Sequence, residues 1–210
     1  MRLIIRKYLT KDNLFLGLIF IAIFVVYLFT LPQTVTLEDD GLFLMSSYFA
    51  GIAHPPGYPL YSIISWFFGL IPLGSFPFRI HTFSAFFAAA ACVLLFILVR
   101  RLNLSSAIAT IVSLAYAFSS VFWSQAIIAE VYALNAFLIL FLFVMTLLIY
   151  GDVLSINNKT GIREGNNKLL NEKVFYLGAF IYGLSLTVHI PLVLLSSPSL
   201  FLLLLPHKQE

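Results

Sequence analysis

The sequence predicts an all-α fold: a polytopic membrane helix bundle of about six transmembrane helices plus juxtamembrane helices. Three observations carry this expectation. The 210 residues are 61% hydrophobic and only 10% charged, against about 45–50% and about 25% in soluble domains. Uncharged runs recur at lengths that suit a bilayer, which needs about 20 residues per span. The single cysteine, Cys92, lies inside one such run, so no disulfide framework or CxxC metal site is available. The net charge of +3 comes from basic residues that punctuate the apolar runs. No nucleic-acid partner is expected.

The first run, residues 14–31, is preceded by Arg2, Arg6, Lys7 and Lys11. Its eighteen uncharged residues exceed the about 7–15 of a signal-peptide core, and its exit "LFTLPQTV" offers no A-x-A-like cleavage site. It reads as a retained span with a cytoplasmic N-terminus. Residues 40–73 follow as an outer juxtamembrane loop with helices. Further spans are expected at 80–99, 104–122, 131–150, 174–189 and 191–206. The last two come from one uncharged stretch of thirty-three residues, 174–206, divided at His189-Ile190-Pro191 because proline breaks or kinks a helix. Residues 151–173, rich in Asn, Gly and Lys, read as a flexible cytoplasmic connection. Residues 1–210 thus form a single membrane domain.

Segment 58–73 decides the topology. If it spanned the membrane, Arg100, Arg101, Lys159, Arg163, Lys168 and Lys173 would fall outside, against the positive-inside rule. If it lies at the interface, those six and the N-terminal four are all cytoplasmic, and only Arg79 is left outside. Non-helical backbone at membrane depth must be covered by protein or water, so 58–73 is expected as a juxtamembrane helix packed on the bundle. Glu38, Asp39, Asp40 and Glu130 then share one outer surface with His54, Arg79, His81, Trp123, Gln125 and His189. Ionisable groups at membrane depth are a functional-site hypothesis by default.

The stretch "EDDGLFLMSSYFAGIAHPPGYPLYSIISWFFGLIPLGSFPFRIHTFSAFF", with "FWSQAIIAEVYALNAF" and "GLSLTVHIP" further on, resembles a membrane family related to the protein O-mannosyltransferases. That family belongs to the GT-C type of lipid-sugar-dependent glycosyltransferases. The likeness covers roughly residues 34 to 191, and its most specific piece is "GIAHPPGYPLY". The family's first outer loop opens on an acidic motif of the form E/G-D-S/A-G-E. Asp39 matches its aspartate and Gly41 its glycine. Leu42 stands where a glutamate is usual and Asp40 where a small residue is usual, so Asp40 is a candidate substitute for the missing acid. Glu130 matches the second acidic position.

The resemblance implies a GT-C-like N-terminal part of a longer enzyme, with catalytic candidates Asp39, Asp40 and Glu130. A sugar, with mannose as one candidate, would pass from a polyprenyl-phosphate donor to an acceptor hydroxyl on the non-cytoplasmic side. A carboxylate supplies the base for the acceptor proton; Arg79 or a histidine supplies the cation for the departing phosphate. Substrate-binding candidates are Glu38, His54, Arg79, Gln125, Tyr132 and His189. Each has a plainer reading: Arg79 as an interfacial anchor, Glu130 as a helix N-terminal acid, His54 as part of the turn, His189 as a helix cap, Tyr132 as an aromatic-belt residue. Helix 58–73 is expected to wall a lipid groove. No metal or cofactor is expected. Expected partners are the lipid-linked sugar donor, a protein or glycan acceptor and membrane lipids. The expected location is the bacterial cytoplasmic (inner) membrane, multi-pass, with the active site facing out. The alternative is a transporter or lipid carrier, or a non-catalytic assembly subunit. Transporters tend to carry repeats and broken mid-membrane helices, whereas here the acids lie at the ends of spans and no repeat is visible.

Overall fold

A computed structural model describes residues 2–157 and 165–204, and every regular element among them is a helix. In chain order these are α1 (Arg2–Thr30), α2 (Asp40–Phe49), α3 (Pro59–Gly69), α4 (Phe76–Arg101), α5 (Ser106–Ala117), α6 (Ser120–Ala126), α7 (Val131–Asn157), α8 (Gly165–Leu186) and α9 (Ile190–Leu204). Lys159 and Arg163, part of the topology argument, lie outside the described residues.

α4 is the centre of the bundle, packing on α1, α3, α5 and α7. Its buried face is made of small residues: Ala85, Ala88, Ala89, Ala91 and Cys92 are all inaccessible to solvent. Small side chains let helix backbones approach closely. Ile19, Ile23 and Tyr27 of α1 fill one side of this face, with Ala109 and Ala117 of α5 beside them. The Tyr27 hydroxyl donates to the Ala117 carbonyl at 2.8 Å. Arg100 and Arg101 end α4, where cations suit the helix macrodipole.

A second cluster sits where α2 and α3 pack on the bundle. Phe43 and Leu44 of α2, Tyr61 of α3, Ile80 and Phe83 of α4, Leu134 of α7 and Val188 pack together. Ser47 and Ser65 join α2 to α3 through their hydroxyls at 2.6 Å. α3 has 11 residues, or about 16 Å at 1.5 Å per residue, half the about 30 Å of a hydrocarbon core. It lies against the bundle and cannot cross a bilayer. Ser75 turns the chain into α4: its Oγ accepts the Phe78 N–H at 3.3 Å and donates to the Gln33 carbonyl at 2.8 Å.

The helices differ from expectation in three places. Run 104–122 is two helices, α5 and α6, bent by 67°. Ser119 leaves the helical region with ψ 138° to head α6, and Tyr116 stacks on Phe122 at 4.1 Å across the corner. The polar connection 151–173 is largely helical, because α7 runs on to Asn157 and α8 begins at Gly165. Its Leu, Lys, Glu and Asn residues extend helices whose nuclei lie in the apolar runs. Among the described residues only α4 is long and apolar enough to cross a membrane by itself, with α5 and α6 a second if counted together. The apolar parts of the others, Phe15–Thr30, Val131–Leu147 and Ile190–Phe201, are shorter, so six full-length crossing helices are not present as such.

Candidate active site

Two connections meet at one end of the bundle, 31–39 before α2 and 127–130 before α7. Asp40 fastens them. Its side chain is 0% exposed. Oδ1 accepts the Ala129 N–H at 2.7 Å and His81 Nε2 at 2.8 Å; Oδ2 accepts the Thr36 N–H at 2.7 Å. His81, equally buried on α4, faces the Pro32 carbonyl with Nδ1 at 2.9 Å. Both ring nitrogens of His81 thus face oxygen atoms, which fixes the orientation of the ring. Burial by itself pushes the Asp40 carboxyl up; the His81 hydrogen bond and the Thr36 and Ala129 N–H groups outweigh it, leaving Asp40 below its ordinary value.

This brace positions its neighbours. Asp39 precedes Asp40 and Glu130 follows Ala129, so the Asp40–Ala129 bond holds the two in a fixed relation. Asp39 occupies the N-cap position of α2 without using its side chain as a cap. Its exposed carboxylate instead meets His54 Nε2 at 3.2 Å, while His54 Nδ1 faces the Pro55 carbonyl at 2.9 Å. The Pro55 carbonyl raises the His54 pKa above its ordinary value; desolvation opposes it, and Asp39 adds to the rise.

Glu130 has a different environment. It is 5% exposed, and Oε2 accepts the Val131 N–H at 3.3 Å. Burial pushes its pKa up to about 7, and the charges of Asp39 and Glu38 push the same way. One carboxylate is therefore solvated and its neighbour titrates near neutrality.

Glu38 lies in the turn that the Thr36–Asp40 bond closes, at φ 63°, a left-handed conformation that is strained for a side-chain-bearing residue. Its Oε2 accepts from Gln125 Nε2 at 3.2 Å. Tyr132 and His189 stand with ring centroids 5.5 Å apart, and His189 Nδ1 accepts the Leu192 N–H at 3.3 Å in the first turn of α9. Below Glu38, Gln125 and Tyr132 opens a cavity of about 790 Å³, running between α4, α5, α6, α7 and α9. No residue of α3 lines this cavity; the corner of α5 and α6 forms one of its walls.

The structure thus gathers Glu38, Asp39, His54, Gln125 and Glu130 in one cluster, of which Glu38 and Gln125 line the cavity. Arg79 is engaged elsewhere: Nε, Nη1 and Nη2 donate to the carbonyls of Leu73, Gly69 and Gly74 at 3.2, 3.1 and 3.1 Å, tying the end of α3 to the start of α4. Among the described residues no three acid, histidine or cysteine side chains converge as a metal site. Sequence reasoning passed over Asn135, which is buried and lines the cavity. The available signal was a polar amide inside an uncharged span.

A helical membrane-type bundle with an acid-rich mouth over an apolar cavity is the class defined by this geometry. A family model described as the protein O-mannosyl-transferase TMEM260 N-terminal domain matches residues 39–210, and the chain belongs to that family. A mouse protein O-mannosyl-transferase TMEM260 is 32% identical over 169 residues, 80% of this chain and 22% of the mouse protein. A Dictyostelium discoideum protein of the same name is 27% identical over 196 residues, 89% of this chain and 23% of that protein. The chain spans under a quarter of the length of these curated relatives. No solved structure matches it.

Proposed function

We propose that this chain carries the catalytic end of a membrane glycosyltransferase that moves a sugar from a polyprenyl-phosphate donor to an acceptor hydroxyl on the non-cytoplasmic side. The relatives' names favour mannose as the sugar and a protein as the acceptor. The observation that carries the reading is one pair of carboxyls held in two environments by Asp40, at the mouth of a largely apolar cavity. A buried carboxyl beside an exposed one offers an acid and a base to the same reaction.

In this reading Asp39 takes the acceptor proton. The acceptor oxygen attacks the anomeric carbon, the bond from that carbon to the phosphate oxygen breaks, and the electron pair leaves with the polyprenyl phosphate. Glu130, protonated below about pH 7, donates a hydrogen bond to the departing phosphate rather than repelling it. His54 supplies the nearby positive charge, since Arg79 is bound to backbone carbonyls. Asp40 acts by position, because its two oxygens already meet three donors. The cavity takes the first units of the prenyl chain. Six apolar segments cross the bilayer in this proposal: the four long helices α1, α4, α7 and α8, the bent pair α5–α6, and α9.

The test is sugar transfer by the full-length protein from polyprenyl-phosphate mannose to a protein acceptor. Asp39→Asn is expected to lower the rate by about 10²–10⁴-fold, the usual effect of losing a general base, with donor binding kept. Unchanged transfer in Asp39→Asn would sink the assignment. Donor movement across vesicles without transfer would favour a lipid carrier.

A further inference from the structure

The cavity wall formed by α7 presents Tyr132, Asn135, Ala136, Ile139 and Leu140. Their spacing of three and four residues is one face of a helix. The face is polar at the mouth and apolar below, and Asn135 stands at the change. Asn135 is 1% exposed, and its Oδ1 has no hydrogen-bond partner. Gln125 Oε1, on the facing α6, is likewise buried and unpartnered, while its Nε2 is held by Glu38. Buried polar atoms are almost always bonded, so each exception asks for an explanation. Two buried amides, each with an unpartnered oxygen and both on residues that line one cavity, call for a ligand with hydroxyl groups. A prenyl tail has none, and a phosphodiester at neutral pH has no hydrogen to donate. A sugar ring has several, and a hydroxyl can meet either end of an amide.

We propose that Asn135, assisted by Gln125, recognises the sugar of the lipid-linked donor, with the Asn135 amide bonding a ring hydroxyl beside the carboxylates. This rests on the glycosyltransferase reading, and it adds a specificity-determining residue to it. Ile139 and Leu140 below accept the chain, so the polar–apolar change at Asn135 matches the change from sugar to lipid.

Direct binding to the purified full-length protein tests this without requiring turnover. Polyprenyl-phosphate mannose and polyprenyl phosphate without sugar are the two probes, measured on the wild type, Asn135→Leu and Asn135→Ala. Asn135→Leu is close in shape and removes an unpaired oxygen, so its melting temperature should stay level or rise. Its affinity for the mannose lipid should fall about tenfold or more, and its affinity for the bare lipid phosphate should not change. Asn135→Ala should reproduce the loss with a small fall in melting temperature. Equal weakening of both lipids would assign Asn135 to the phosphate or chain and overturn the proposal. So would unchanged binding, or a loss that only follows unfolding. A wild type that binds neither lipid sinks the donor reading itself; a wild type that binds both, with Asn135→Leu unaltered, sinks only the sugar assignment.

Discussion

Asp39 and Asp40 are adjacent in the chain and meet opposite surroundings, one exposed beside His54 and one sealed against His81. The motif singled out Asp39 and kept Asp40 as a substitute for the acid missing at Leu42, but a run of three acids carries no sign of which one turns inward. Substitution should separate them. His81→Leu strands the Asp40 carboxylate, and breaking a buried pair on one side costs about 3–5 kcal/mol. The melting temperature of His81→Leu in detergent should therefore drop, whereas that of Asp39→Asn should hardly move; equal effects would contradict the difference in burial. Asp40 also sets a pH limit. Its carboxyl is lowered in the fold, so its contribution is present above the unfolded value and is lost as pH falls through the lower folded one. Glu130 runs the other way. Its pKa is raised to about 7, so its proton is held below that pH and lost above it. If the protonated form is the active one, transfer falls as pH rises through about 7. Glu130→Gln keeps a neutral donor at that position and should flatten this limb. A pH–rate profile of both proteins reads the result, and an unmoved limb would release Glu130 from the role.

The turn between α2 and α3 shows what an element contributes. Pro55, Pro56, Gly57 and Pro59 were legible as a rigid turn; what the turn holds was not. The Gly57 N–H donates to the His54 carbonyl at 2.8 Å, so the turn fixes the histidine that meets Asp39. Gly57 sits at φ 99°, and a Cβ there would lie 3.0 Å from Ile52 Cγ2. Gly57→Ala is therefore strained in both backbone and space. Displacement of a catalytic geometry by about 1 Å can cost about 10²-fold. Transfer by Gly57→Ala should fall by that order while donor affinity stays, since the cavity takes no residue from α3. Loss of donor affinity would restore α3 as a groove wall. The corner between α5 and α6 was illegible for a related reason. Run 104–122 contains no proline or glycine, and the bend follows from Ser119 and from Tyr116 stacking on Phe122, contacts that exist only once the bundle packs.

At the scale of the molecule, apolar content and run length made the helical class legible, because both are properties of composition. The site was legible only as a set of residues on one surface. Its organisation depends on Asp40 reaching Ala129 across 89 positions, and on Asn135 opening into a cavity built from five helices. No periodicity reports such pairings. Sidedness remains the property on which the whole reading turns. The proposal puts Arg100 and Arg101 on the cytoplasmic side, as the positive-inside rule asks, and α3 is too short to reverse the order. Leu73, 65% exposed between α3 and α4, and Asn166, at the start of α8, are suitable cysteine positions. Cys92 is fully buried, and Cys92→Ala provides the background at modest expense in packing. An impermeant thiol reagent applied from the non-cytoplasmic side should label Leu73→Cys and spare Asn166→Cys until the membrane is opened. The reverse pattern would put Asp39, Glu130 and Asn135 in the cytoplasm, where the acceptor hydroxyl of this proposal is not found. Labelling of both from one side would mean an odd number of crossings between them has been lost. In that case α5 and α6 do not act together as one span, and the cavity at their corner would open at the membrane surface instead of within it.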